Sequence, residues 1–250
     1  MTYVDIAGVH THYEVTGAGP RVVLLHGGIV GADSWYAQRT DLAAAFTVYT
    51  PERRGHGRTP DVAGEITYQL MAQDTVGFLE TVLDGPAHLV GWSDGAVVGA
   101  LVAMQRPELV SRLVLIGQYY NPDGRPEGGL VTKLAEGRDN PPAFLRDMYD
   151  KVSPDGPEHF PVFYNKMVDL FEREPNIPLP EFAAIQAPTL VLQGDRDDVL
   201  VTHSSAVVAA IPDARLAVLP GTHSLPLESP ALVNRLIADF LSGGPAELTW

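Results

Sequence analysis

Apolar residues recur along this chain in two ways: as short unbroken runs, and as positions three and four apart. The first fifteen residues alternate, with TYVDI and THYEV on either side of Ala7-Gly8, which predicts a hairpin. Arg21 to Leu25 (RVVLL) is a continuous apolar run, the mark of a strand buried on both faces. Helical spacing follows over Ser34 to Ala45, then a strand at Phe46 to Thr50 (FTVYT). A second helical period runs from Tyr68 to Leu83, with Leu70, Val76, Leu79 and Leu83 at its apolar positions. The strand AHLVGW, a helix from Asp94 to Gln105 and the strand RLVLIG complete the first half.

After Gly117 the alternation stops. Residues 118–184 carry proline, glycine and aromatic residues with short helical stretches and no good buried strand. The rhythm then returns as TLVLQG, a helix from Thr202, RLAVLPG and a last helix from Pro230 to Leu241. Eight strands alternating with helices predict an α/β fold with a mostly parallel sheet covered on both faces. Residues 1–117 and 185–250 are expected to form the core, and 118–184 an inserted helical cap over one end of the sheet.

Composition narrows the chemistry. The 250 residues include no cysteine, which excludes disulfides, zinc–thiolate sites, iron–sulfur clusters and a cysteine nucleophile. A formal net charge of −14 argues against nucleic acid or an anionic membrane as partner. The start of the chain lacks a basic segment followed by an apolar run, and no stretch approaches a membrane span. A cytoplasmic protein acting on a small molecule is expected, of unspecified oligomeric state. No HExxH or comparable metal spacing occurs, so the expected chemistry uses neither metal nor other cofactor.

Gly91-Trp92-Ser93-Asp94-Gly95 is the sharpest chemical signal. It lies between a buried strand and a helix, where a tight turn would hold the Ser93 hydroxyl forward. Only small residues two positions either side tolerate such a turn. The N–H of Asp94 would face an oxyanion developing on a carbonyl attacked by Ser93. His26-Gly27-Gly28 follows RVVLL and offers a second donor, Gly28 N–H, with Ile29 as the alternative. His26 itself is read as shaping that loop. TLVLQG leads into Asp195-Arg196-Asp197-Asp198, and RLAVLPG into Thr222-His223. Loops leaving the carboxyl ends of parallel strands gather at one edge, so Ser93, an acid from this cluster and His223 are expected to meet. His223 is the histidine that follows a late strand, and is read as the base.

These pieces, HGG, RRGHGRT (Arg53 to Thr59), GWSDG, PTLVLQGDRDDVL and LPGTHSLPLESP, resemble the α/β-hydrolase superfamily over nearly the whole chain. The resemblance implies the α/β-hydrolase fold and a Ser93–His223–Asp197 triad. It takes Asp197 as the acid because the family's aspartate occupies the fourth position of a Gly-x-x-Asp turn. Asp195 and Asp198 would then be solvated or turn-stabilising. Glu52 stands where the family usually has an aspartate, a change read as structural. A serine nucleophile argues against epoxide hydrolase or haloalkane dehalogenase chemistry.

GWSDG is also similar to the elbow of the valacyclovir hydrolase (biphenyl-hydrolase-like) branch. There the aspartate after the nucleophile binds the α-amino group of an amino-acid ester. That resemblance implies the same role for Asp94; its plainer role is to suit the positive end of a helix. The expected activity is hydrolysis of a small carboxylic ester through an acyl-enzyme. Alternatives on the same triad are carbon–carbon bond, lactone or peptide (iminopeptidase) hydrolysis, haloperoxidase-like perhydrolysis, and slow-turnover ligand reception. Specificity is expected from the cap, rich in Tyr119, Tyr120, Phe144, Tyr149, Phe160, Phe163, Tyr164 and Phe171. Tyr119, Trp35 and Trp92 are candidates for contact with substrate, core packing being the alternative for both tryptophans.

Overall fold

A computed structural model describes residues 2–244; residue 1 and residues 245–250, at the two ends of the expected core, lie outside the described residues. Strands β1 (Thr2–Ile6) and β2 (Val9–Gly17) form the antiparallel hairpin. The others are β3 (Arg21–Leu25), β4 (Thr47–Pro51), β5 (Ala87–Trp92), β6 (Val110–Ile116), β7 (Thr189–Arg196) and β8 (Ala214–Thr222). They make one eight-stranded sheet in the order β1-β2-β4-β3-β5-β6-β7-β8, parallel from β4 to β8.

The unbroken apolar runs are two interleaved faces. In β3, Val22 and Leu24 enter one buried cluster while Val23 and Leu25 enter the other. Val114 and Ile116 part from Leu113 and Leu115 in the same way. A two-residue period sends successive side chains to opposite faces, so a strand covered on both sides must be apolar throughout. Each fully buried aliphatic side chain contributes about 1.5–3 kcal/mol relative to exposure. Helices α1 (Tyr36–Leu42) and α9 (Pro230–Leu241) cover one face through Leu42, Val233 and Ile237. Helices α2 (Tyr68–Phe78), α3 (Asp94–Gln105) and α7 (Val201–Ala210) cover the other.

Some element ends differ from expectation. Ser34 and its neighbours form a 3-10 turn over Ala32–Trp35, because the Ser34 N–H and hydroxyl both donate to the Gly31 carbonyl. The helix expected to reach Leu83 loosens into a π turn over Leu79–Leu83 and stops at Asp84, whose φ of +51° is left-handed. A short helix, α8 (Leu225–Glu228), follows His223 and was not expected; it brings Leu225 into the core.

Between β6 and β7 lie α4 (Leu130–Glu136), α5 (Ala143–Asp150) and α6 (Phe160–Arg173). Tyr149, Phe160, Phe163 and Tyr164 pack together and join the core cluster of the α2–α3 face. Phe144 is instead 62% exposed.

The strand order reverses around β3, which has β4 on one side and β5 on the other. At such a switch point the loops leaving two neighbouring strands diverge and leave a crevice. The loops there carry Gly27-Gly28 and Ser93.

Candidate active site

Ser93 has φ +56° and ψ −120°, a strained backbone that places it between the end of β5 and the start of α3. Its N–H donates to the Ile116 carbonyl at 2.8 Å, which fixes the turn against β6. The flanking glycines are steric requirements. A Cβ on Gly91 would strike the Gly95 carbonyl oxygen, and one on Gly95 would strike that of Leu25. The first helical bonds run from Ala96 and Val97 to the Ser93 carbonyl, so the Asp94 N–H has no intrahelical acceptor.

The Ser93 hydroxyl lies 2.8 Å from His223 Nε2, and His223 Nδ1 lies 2.6 Å from Asp197 Oδ1. Asp197 is nearly closed off from solvent, its side chain 1% exposed, and its Oδ2 accepts from the Gly194 N–H at 3.3 Å. Burial opposes a charged His223, but the hydrogen bond and charge of Asp197, with Asp198 and Asp94 behind, outweigh it. The imidazole pKa therefore lies above its ordinary value. Two further contacts hold the backbone on which the imidazole sits. Trp92 Nε1 donates to the His223 carbonyl at 2.8 Å. Thr222, one residue earlier, donates through N–H and hydroxyl to Glu228 on α8.

A cavity of about 290 Å³ opens over these groups. Gly28, Ser93, Asp94, Tyr119 and His223 line it, together with Arg125, Leu130, Leu134, Phe171 and Asp198. Trp35 and Trp92 lie outside it, which corrects the expectation of substrate contact for both. Trp35 is completely buried on the α1–α9 face, its ring edge-on to Trp92 with centroids 6.0 Å apart. Trp92 meets the site through the His223 carbonyl, with the two rings' centroids 6.3 Å apart.

Asp94 is 1% exposed. Its Oδ1 accepts from the Tyr68 hydroxyl at 2.8 Å, and the Tyr119 hydroxyl lies 2.7 Å from that of Tyr68 and 3.2 Å from the same oxygen. Its Oδ2 is buried without a hydrogen-bond partner. A Cβ on Gly28 would collide with that Oδ2 and crowd the tip of Phe171, so a larger residue there would have to displace both side chains. Burial raises the Asp94 pKa, against the pull of Arg53 and the two hydroxyls. The same burial lowers Arg53 to about 10, with Asp94 opposing, which leaves the guanidinium charged at neutral pH.

His26 has both ring nitrogens engaged, one within its own loop and one with the loop after β4. Nδ1 donates to the Gly27 carbonyl at 2.8 Å, and Nε2 accepts the Arg53 N–H at 3.2 Å. Burial first, then Arg53 and His56, keep its pKa well below the usual histidine value. Glu52 fastens the following stretch: it accepts from the Ala32 N–H and from the Arg58 N–H and guanidinium. Asp195 accepts from the Gly221 N–H, and Asp198 from the Leu130 N–H at the start of α4.

Four contributors escaped the sequence reading. Gly117 (φ +59°) lies under the imidazole, where a Cβ would come within 2.9 Å of His223 Cε1; its place at the end of a strand was the available signal. Tyr68 begins α2 in the sequence with nothing to mark it. Asp198, expected to be solvated or turn-stabilising, lines the cavity and raises the His223 pKa. Arg125 is a cation in an otherwise apolar and acidic stretch, the one visible clue to its position. Among the described residues no group of three or more His, Asp and Glu side chains could hold a metal ion, and no helix is long and apolar enough to cross a membrane.

The family model described as "Alpha/beta hydrolase family" matches residues 22–236. A serine hydrolase of Mus musculus, BPHL, is 28% identical over 261 residues, covering 95% of this chain and 85% of its own. The structure of a hydrolase from Pseudomonas aeruginosa PA01 superposes with a TM-score of 0.76 at 25% identity, covering 96% of this chain and 97% of that one. A thermophilic esterase from Thermogutta terrifontis gives 0.74 at 25% identity, covering 97% and 99%. The chain belongs to the α/β-hydrolase family and is a hydrolase.

Proposed function

We propose that this α/β-hydrolase cleaves a small carboxylic ester through an acyl-enzyme formed on Ser93. The observation that carries the reading is the hydrogen-bonded run from Ser93 and His223, on the wall of the cavity, to Asp197 behind them. In this reading His223 removes the Ser93 proton as the hydroxyl attacks the ester carbonyl. Asp197 fixes the tautomer and stabilises the imidazolium. The N–H groups of Gly28 and Asp94 receive the oxyanion, each lowering the barrier by about 3 kcal/mol. His223 then protonates the leaving alkoxide, and water repeats the sequence on the acyl-enzyme. A fluorophosphonate should label the wild type at Ser93, and Ser93→Ala should lose both labelling and, by several orders of magnitude, ester turnover with its fold intact. Near-normal turnover by Ser93→Ala would sink the mechanism.

A second reading concerns the acyl group. Asp94 Oδ2 is a buried carboxylate oxygen without a partner next to Gly28, and an ammonium group is the partner it lacks. Such an amine would stand a few ångströms from the scissile carbonyl, having displaced the tip of Phe171. Charge-assisted bonds contribute about 1.5–3 kcal/mol. An α-amino-acid ester should therefore exceed its deaminated analogue by about 10- to 100-fold in kcat/KM, and Asp94→Asn should bring that ratio to one. Equal wild-type rates would leave Asp94 as a helix-start residue held by two tyrosines.

A further inference from the structure

Arg125 lines the same cavity as Ser93 and His223. Its guanidinium is held on two sides. Nη1 donates to the Phe171 carbonyl at 2.7 Å and Nη2 to the Glu174 carbonyl at 2.8 Å, both at the end of α6. Its Cζ lies 4.7 Å from the centroid of the Tyr119 ring, whose hydroxyl belongs to the Asp94 cluster. Of its five N–H groups two are committed, and the Nε–H is buried without a partner.

What the guanidinium lacks is negative charge. Although the chain has 31 acidic residues against 17 Lys and Arg, no carboxylate among the described residues lies within 4 Å of Arg125. The two carboxylates that share the cavity face other groups. Asp94 Oδ1 takes the two tyrosine hydroxyls while its Oδ2, without a partner, lies beside Gly28, and Asp198 accepts from the Leu130 N–H. A neutral side chain could tie a loop to two carbonyls without the desolvation that a half-buried cation incurs. A rigid planar guanidinium is suited to a carboxylate, which it can meet with two parallel N–H bonds.

We propose that Arg125 is the anion subsite of the catalytic cavity, so that the substrate is an ester carrying a free carboxylate some bonds away from the scissile carbonyl. This rests on the reading of the cavity as the site of ester hydrolysis by Ser93, and it adds the charge of the substrate. The reaction itself is unchanged: the distal carboxylate binds and takes no part in bond making.

The test compares each acid with its neutral carboxamide. One arm puts the anion on the acyl side (monomethyl glutarate against methyl glutaramate), the other on the alcohol side (acetoxyacetic acid against its amide). The wild type should favour the acid in at least one arm by about 10- to 100-fold in kcat/KM, mostly through KM. Arg125→Gln should bring the ratio close to one, and Arg125→Lys should hold it between, since charge survives without the fork. Equal rates on acid and amide in both arms, or a ratio untouched in Arg125→Gln, would overturn the proposal. Thermal melting of both variants identifies a folding defect. Calorimetric titration of the same pairs into Ser93→Ala protein reads acid preference without turnover. A lack of hydrolysis with acid preference intact counts against the serine mechanism alone, and a lack of preference there counts against Arg125.

Discussion

His223 Nδ1 meets Asp197 at 2.6 Å, while the two acids flanking Asp197 turn to backbone N–H groups, Asp195 to Gly221 and Asp198 to Leu130. Asp197→Asn should therefore lower turnover on the order of 10⁴-fold, as triad aspartates do elsewhere, with much smaller losses for Asp195→Asn and Asp198→Asn. A ranking with Asp195→Asn worst would mean that this geometry does not operate. The pH profile provides an independent check. In the proposed mechanism the base is neutral His223, and its pKa is raised from 6.5 because Asp197, Asp198 and Asp94 together outweigh burial. The protonated form thus persists to higher pH, and kcat/KM should fall as pH drops through a value above 6.5. An acid limb centred below 6.5 would contradict that balance. Serine and histidine were legible because each follows a strand at the sheet's carboxyl edge. The choice among three aspartates came from family resemblance, because three acids within four residues of one turn look alike until their directions are known. Tyr68 and Arg125 were illegible for a related reason: they reach the cavity from distant segments, and no local pattern records that.

Among the elements, strands were read more surely than helix ends. A doubly covered strand must be apolar at every position, so RVVLL and AHLVGW mark themselves, and β3 and β5 coincide with those runs. The helix from Asp94 to Gln105 was equally plain, because the elbow fixes its start and Pro107 ends it soon after. Helix ends elsewhere are settled by single contacts: the Ser34 hydroxyl tightens one into a 3-10 turn, and left-handed Asp84 closes another. Helix α8 spans only four residues and includes a proline, too short to show a period. Its effect on the site is out of proportion to its length, since Glu228 holds Thr222 next to His223. The three helices between β6 and β7 were read only as a helical region, because their aromatic residues pack on one another and on α2–α3 rather than on the sheet with a strand's regularity.

At the scale of the whole molecule, the cavity exists only while the segment between β6 and β7 stays seated on the core, and polar ties supplement its aromatic packing. Asp61, on the loop between β4 and α2, has a side chain 3% exposed. Its Oδ2 accepts from Lys166 Nζ at 2.6 Å, and His159 Nε2 lies 2.8 Å away; both partners belong to the α6 region. In return Asp155 accepts the Asp61 N–H at 2.7 Å, and Glu174 accepts the Tyr68 N–H at 3.0 Å. Asp61→Asn keeps the shape and removes the charge that Lys166 faces, leaving that ammonium with the Val62 carbonyl. Breaking a largely buried pair from one side costs up to 3–5 kcal/mol, and the partial exposure of Lys166 and His159 brings the expected loss to about 2 kcal/mol. Urea unfolding should register it, and amide exchange should quicken across α6, whose Phe171 walls the cavity, more than across α3. The Ser93–His223–Asp197 run lies on core loops, so KM for an ester should rise more than kcat falls. If exchange across α6 is unaltered in Asp61→Asn, the packing of Tyr149, Phe160, Phe163 and Tyr164 holds this segment in place rather than the ion pair.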